Sequence, residues 1–122
     1  MLLYVTGSRT FSNDELFREV LADINPKEEN ITLLAGGSFG AEDLALQLAK
    51  EKGWEVDTSF ESIEDWKDRV DSILLKLIYY TGEKLVIIFN QNSEGSNYIQ
   101  AVCSSQKIPS LVYPLGSELC KI

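Results

Sequence analysis

Three glycine-containing segments hold the residue types with the clearest chemical use: Gly7-Ser8-Arg9-Thr10-Phe11, Gly36-Gly37-Ser38-Phe39-Gly40-Ala41-Glu42-Asp43 and Gln91-Asn92-Ser93-Glu94-Gly95-Ser96-Asn97. Each follows an apolar run and precedes a helical pattern. A helix start offers free N–H groups and the positive end of a dipole, and glycine lets the backbone approach a phosphate without a Cβ in the way. Arg9 adds a guanidinium, which grips phosphate in bidentate fashion; the competing use is a surface ion pair with Asp14 or Glu15. The competing use of the glycines is turn geometry alone. Neither GxGxxG nor GK[ST] occurs, which disfavours NAD binding and P-loop chemistry.

The chain contains no histidine. That removes the usual general base, the Ser-His and Cys-His nucleophile pairs and every His-ligated metal site. Any catalysis falls to carboxylates, lysine, tyrosine or an external cofactor, and Glu42 and Glu94 are the carboxylates placed near the glycine segments. Each also suits the dipole at a helix start. Phe39 and Phe11 each suit stacking on a base or filling an apolar gap, with ligand or interface contact favoured for Phe39 and core packing for Phe11. Trp66 reads as core or interface. Cys103 and Cys120 lack CxxC spacing, so no metal centre, disulfide framework or resident cofactor is expected.

Lysine and arginine total 11 against 19 acidic residues, a net charge of −8. A broad electrostatic grip on nucleic acid is therefore not expected, and any phosphate must be held locally. The start MLLYVTGSR has no basic segment, long apolar stretch or small-residue cleavage site, and no apolar run reaches membrane-spanning length. The expectation is a cytoplasmic protein without membrane association. A chain of 122 residues at 44% hydrophobic content supports one domain with one core.

These segments need elements to hold them. LLYVT, residues 2–6, reads as a strand buried on both faces. Ser12 and Glu15 stand at capping-box spacing before Leu16, Phe17, Val20, Leu21 and Ile24, which predicts a helix closed by Asn25-Pro26. ITLLAGG, residues 31–37, repeats the pattern, and the helix AEDLALQLAKEK after it ends at Gly53. WEVDTSF predicts a third strand, residues 62–80 a long amphipathic helix, and KLVIIFN a buried strand. A helix over 96–105 and the strand SLVYP complete the set, with LGSELCKI as a tail packed on the surface or against a partner subunit. The alternation predicts a Rossmann-like α/β fold, a three-layer sandwich with a parallel sheet of about five strands. Loops leaving the carboxyl ends of such strands share one edge, and ligands bind there where strand order reverses.

VTGSRTF, LLAGGSFGAEDLALQLAKEKGWEV and LVIIFNQNSEGSN, the last followed by a helix and IPSLVYP, resemble the SLOG superfamily, in particular its small YspA-like group. The similarity runs through nearly the whole chain. TGSR and GGxxGAxxLA are its most specific parts. The resemblance extends in fold to the Lonely Guy phosphoribohydrolases and the nucleotide-binding domain of DprA. It implies that Gly7, Ser8 and Arg9 form a first ligand-facing loop, Gly36, Gly37 and Gly40 a second, and Gly95 with Ser96 a third. Ser38 and Phe39 within the second loop, and Asn90 at the end of the fourth strand, complete the expected ligand-binding set.

The chain also departs from that pattern. Ala35, Phe39 and Glu42 stand where the YspA-like group has histidine, arginine and aspartate. The group's Arg-Asn motif is missing from the third helix, with Arg69 near its place. The hydrolase branch carries a catalytic glutamate where this chain has Tyr98 and Ile99. The expected function is therefore binding of a nucleotide or nucleotide-derived signalling molecule, sensed or sequestered by a homo-oligomer; sequestration would suit a viral anti-defence protein. The alternatives are a Lonely Guy-like nucleoside 5′-monophosphate phosphoribohydrolase, and a protein–protein inhibitor or adaptor that keeps only the fold.

Overall fold

The structure, a computed structural model, describes residues 1–7, 13–24, 30–37, 40–90 and 94–114. Its elements alternate: β1 (Leu2–Gly7), α1 (Asp14–Ile24), β2 (Thr32–Leu34), α2 (Ala41–Lys52), β3 (Glu55–Asp57), α3 (Trp66–Tyr79), β4 (Lys84–Asn90), α4 (Glu94–Ser105) and β5 (Ser110–Pro114). The strands form one parallel sheet in the order β3-β2-β1-β4-β5. Strand order therefore reverses between β1 and β4, which pair over six positions from Leu2↔Lys84 to Gly7↔Phe89. This is the Rossmann-like α/β sandwich that the alternation predicts.

The period of two along the strands assigns the layers. Leu3 and Val5 of β1, Leu33 of β2, and Ile87 and Phe89 of β4 point to one face, where they meet Phe17, Val20 and Leu21 of α1 and Ala41, Ala45, Leu48 and Ala49 of α2. Leu2, Tyr4, Leu34, Val86 and Ile88 point to the other, where they meet Val70, Ile73, Leu74 and Leu77 of α3 and Ile99 and Cys103 of α4. Ile73, Leu77, Val86, Ile87 and Ile88 are completely buried, each stabilising the fold by roughly 1.5–3 kcal/mol relative to exposure.

Local chemistry sets the element ends, and in four places it moves them from the expected positions. Asn13 caps α1, its Oδ1 accepting from the Leu16 N–H at 3.1 Å, so the cap stands one residue after the expected Ser12. β3 is only three residues long, because Asp57 Oδ1 accepts from both the N–H and the hydroxyl of Ser59 and turns the chain. Two backbone turns follow, Glu61 N–H to Thr58 O and Ile63 N–H to Phe60 O. They delay α3 until Asp65 caps it by accepting from the Asp68 N–H, four residues beyond the expected start. α4 begins at Glu94, two residues early. Gly53 ends α2 in the left-handed conformation at φ 72°, as expected. The expected tail, residues 115–122, lies outside the described residues. Among the described residues, no helix is long and apolar enough to cross a membrane.

Candidate functional site

A cleft of about 290 Å³ opens at the carboxyl end of the sheet. Ala35, Gly36 and Gly37 come to it as the chain leaves β2; Glu42, Asp43 and Leu46 come from the first turns of α2. Glu61, in the turn before α3, and Arg69, on α3, complete the lining. Three carboxylates thus share the lining with one guanidinium. Arg69 is braced, its Nη1 donating to the Ile63 carbonyl at 3.0 Å.

Glu42 is the most constrained of these groups. Ala41 beside it is completely buried, which pins the start of α2 against the sheet. From there the Glu42 side chain reaches β1, where its Oε2 accepts from the Thr6 hydroxyl at 3.4 Å. Its other oxygen, Oε1, is shut off from solvent and lies against Gly36, in the space a side chain there would need. The position in the first turn of α2 favours its negative charge.

Beneath this carboxylate lies a buried polar pair on β1. Tyr4 is 1% exposed and Thr6 4%, and the two stand on the same face of the strand. Burial, reinforced by the charge of Glu42, holds the Tyr4 phenol well above its ordinary range; the neighbouring Thr6 hydroxyl and the charge of Arg69 act in the opposite direction. Cys103, on the same face of the sheet, is pushed up to about 11 by burial.

The expected ligand residues fall into distinct places. Gly36, Gly37 and Glu42 line the cleft. Gly40 is the residue before α2, at φ 76° and ψ −129°, a conformation open to glycine and closed to most other residues. Gly7 ends β1 so tightly against β4 that a Cβ would lie 2.5 Å from the Phe89 carbonyl oxygen. Gly95 and Ser96 are in the first turn of α4; Ser96 is buried, and the Trp66 ring covers Gly95, 2.8 Å from where a Cβ would stand. Glu94 is exposed at the same helix start, and Asn90 ends β4 opposite Pro114. Ser8, Arg9, Ser38 and Phe39 lie outside the described residues, as do Phe11 and Cys120.

Trp66 is neither core nor fully solvated. It is 39% exposed and bridges the starts of α3 and α4, resting on Gly95 with its edge toward Tyr98 at a centroid distance of 6.4 Å. The Tyr98 hydroxyl donates to Asp71, and Lys67 lies 5.5 Å from the Tyr98 ring centroid. The hydrogen bond to Asp71 raises the Tyr98 phenol. These contacts tie the amino-terminal turn of α4, and so the end of the third glycine segment, to α3.

Sequence reasoning did not single out Tyr4, Thr6, Asp43, Leu46 or Glu61, and it placed Arg69 only near a motif position. A signal for Tyr4 and Thr6 was available: two hydroxyl-bearing residues two apart in a strand buried on both faces must share a face and find partners there. Asp43 and Glu61 carry no such signal, since a carboxylate in a first helical turn or a surface turn is ordinary. Among the described residues, no group of three or more His, Cys, Asp or Glu side chains is arranged to hold a metal ion. A scan against protein-family models, a search of curated proteins and a search of solved structures each return no match for this chain.

Proposed function

We propose that this protein binds a nucleotide or nucleotide-derived small molecule at the carboxyl edge of the sheet, as a SLOG-like binding domain. The observation that carries the reading is the presence in one cleft of the Glu42 carboxylate, which spans from α2 to Thr6 of β1, and the Arg69 guanidinium. In open α/β sheets this edge is where ligands lodge, and an acidic residue there accepts from ribose hydroxyls. Carboxylates also accept from the amino groups of a base, whereas Arg69 suits a phosphate. The cleft stands at the low end of the roughly 300–1,000 Å³ typical of ligand pockets, which matches a nucleoside-sized part of the ligand. Gly7 ends β1 where strand order reverses, and Arg9, two residues on in the sequence, is the proposed phosphate contact.

The protein is proposed to act in the cytoplasm as a homodimer or higher oligomer. Leu75 and Tyr79, 50% and 79% exposed and one turn apart on α3, support self-association. Native mass spectrometry reads both the oligomer and any ligand carried through purification. A thermal-shift panel of mono-, di- and cyclic nucleotides and ADP-ribose derivatives then tests the reading. Ligand at a hundred times its Kd stabilises by about 2.7 kcal/mol, a shift of several degrees for a domain of this size. Glu42→Gln and Arg69→Ala are expected to abolish most of that shift; a panel without any shift overturns the reading. Undiminished binding by Arg9→Ala removes that residue from the site.

A second reading, hydrolysis of the N-glycosidic bond of a nucleoside 5′-monophosphate, draws support from the same carboxylate. Such a bond breaks through an oxocarbenium-like state that needs a carboxylate beside it. Glu42 lines the cleft, while Glu94 is exposed on α4. Release of free base from AMP that falls in Glu42→Gln and persists in Glu94→Gln is the expected result under this reading.

A further inference from the structure

β5 closes one side of the sheet, with β4 on its inner flank and, among the described residues, no strand on its outer one. The Val86 N–H donates to the Pro109 carbonyl, and the register sets Val86 beside Ser110. Alternate residues of a parallel strand serve each side, so Pro109, Leu111 and Tyr113 turn their main-chain groups to β4. Ser110 and Val112 turn theirs outward. Such an edge is a template for another strand, and proteins that avoid the pairing place charges or very short strands there. β3, at the opposite edge, has both devices: it is three residues long, and two of them are Glu55 and Asp57. β5 has five residues and no charge.

The neutrality extends beyond the strand. Residues 95–114, which hold nearly all of α4 and the whole of β5, carry Lys107 as their only charged side chain, in a chain that is 25% charged. α4 packs against β4 and β5, so this run forms one side of the molecule. A net charge of −8 opposes the approach of a second copy, and it does so least along this side. Leu111 is 38% exposed there.

We propose that the outer edge of β5 joins two copies of this chain by antiparallel pairing about a two-fold axis at Leu111. The proposal rests on the self-association proposed above and assigns the dimer contact to β5, leaving the exposed pair on α3 for assembly beyond a dimer. A two-fold contact sets the same strand against itself, so the matching donors, acceptors and neutral flank come with the second copy by symmetry. With the axis at Leu111, Ser110 of one copy faces Val112 of the other and exchanges both main-chain hydrogen bonds with it. An axis at Val112 would instead set Ser110 against Pro114, which has no N–H to donate. Leu111 meets Leu111 of the second copy in a non-hydrogen-bonded pair, their Cα atoms about 4.5 Å apart. Each leucine covers the exposed surface of the other.

Analytical ultracentrifugation of the full chain over a range of concentrations reads the dimer, and circular dichroism checks that each variant folds. Leu111→Lys sets like charges at the axis, and Ser110→Pro removes an outward donor while leaving the bonds to β4. Each is expected to raise the dimer dissociation constant at least about tenfold. In a Cys120→Ser background, where Cys103 is completely buried, Leu111→Cys is expected to give a disulfide-linked dimer with oxidised glutathione, since a disulfide spans Cα separations of about 4.4–6.8 Å. Ser110→Cys, set two residues off its copy, is expected to give none. Where the first two variants do not fold, the cross-link decides, and its absence in Leu111→Cys overturns the proposal. Wild type that is monomeric at every concentration overturns both the β5 contact and self-association. A dimer that withstands Leu111→Lys and Ser110→Pro but dissociates in Tyr79→Lys overturns the β5 contact alone. Slow amide exchange at Ser110 and Val112 in a monomer assigns the edge to residues of the same chain and likewise overturns it. No nucleotide is needed, so the binding reading stands or falls separately.

Discussion

The Glu42 carboxylate occupies the space that a side chain at Gly36 would fill, with Oε1 against the glycine and Oε2 turned to Thr6. The two residues depend on each other, since the lining of the cleft has its present form only while residue 36 lacks a Cβ. Gly36→Ala is therefore a substitution against the site more than against the fold. The clashing atom is the free end of a flexible side chain, so the carboxylate swings away at little cost. We expect less than about 1 kcal/mol of lost stability by urea denaturation. Ligand affinity, read by calorimetry with whichever nucleotide shifts the melting temperature, is expected to fall at least about tenfold, the loss of one charge-assisted hydrogen bond.

The same substitution at Gly7 has the opposite character. There a Cβ would meet the Phe89 carbonyl oxygen at 2.5 Å, the Phe89 Cβ at 2.9 Å and the Ala41 Cβ at 3.2 Å. None of these atoms swings aside, because β1, β4 and α2 are locked by the sheet and the core. Gly7→Ala is expected to destabilise the fold by about 2–3 kcal/mol, the cost of overpacking, with a fall in urea midpoint at unchanged slope.

Gly95 offers a spectroscopic test of the bridge between α3 and α4. A Cβ at residue 95 pushes the Trp66 ring off α4 and toward water. In a Trp54→Phe background, Gly95→Ala is expected to shift Trp66 emission to longer wavelength and to cost about 1 kcal/mol of stability. An unshifted spectrum would show that the ring does not depend on that contact.

Asp57 at the end of β3 gives the fold an acid dependence. Lys76 Nζ stands 2.5 Å from its Oδ2, and that hydrogen bond, followed by those from Ser59, lowers the carboxyl from 3.8 to about 2. A depressed value in the folded state means that the stabilisation is complete above the unfolded value and disappears as pH falls from about 4 through about 2. It amounts to at most about 2 kcal/mol, reduced by solvent screening at the half-exposed Lys76. Urea midpoints measured across that interval are expected to fall more steeply for wild type than for Asp57→Asn.

Much of this arrangement was legible in the residue order, and the division has a physical basis. Strand and helix identities, the full extent of β4, the glycine cap of α2 and the two-sided burial of β1 follow from periodicities and caps, which act between residues near in the chain. Where the local competition was subtler, as at Asp57 and Asp65, whose side chains end β3 early and start α3 late, periodicity misplaced the boundaries. The order of strands and the meeting of Glu42 with Thr6, 36 residues apart, arise when helices pack on two faces of one sheet. So does the division of labour among glycines that look alike in sequence: Gly7 admits a neighbouring strand, Gly36 a carboxylate and Gly95 an indole. A glycine announces only that space is needed. What fills that space is decided by the elements brought against it.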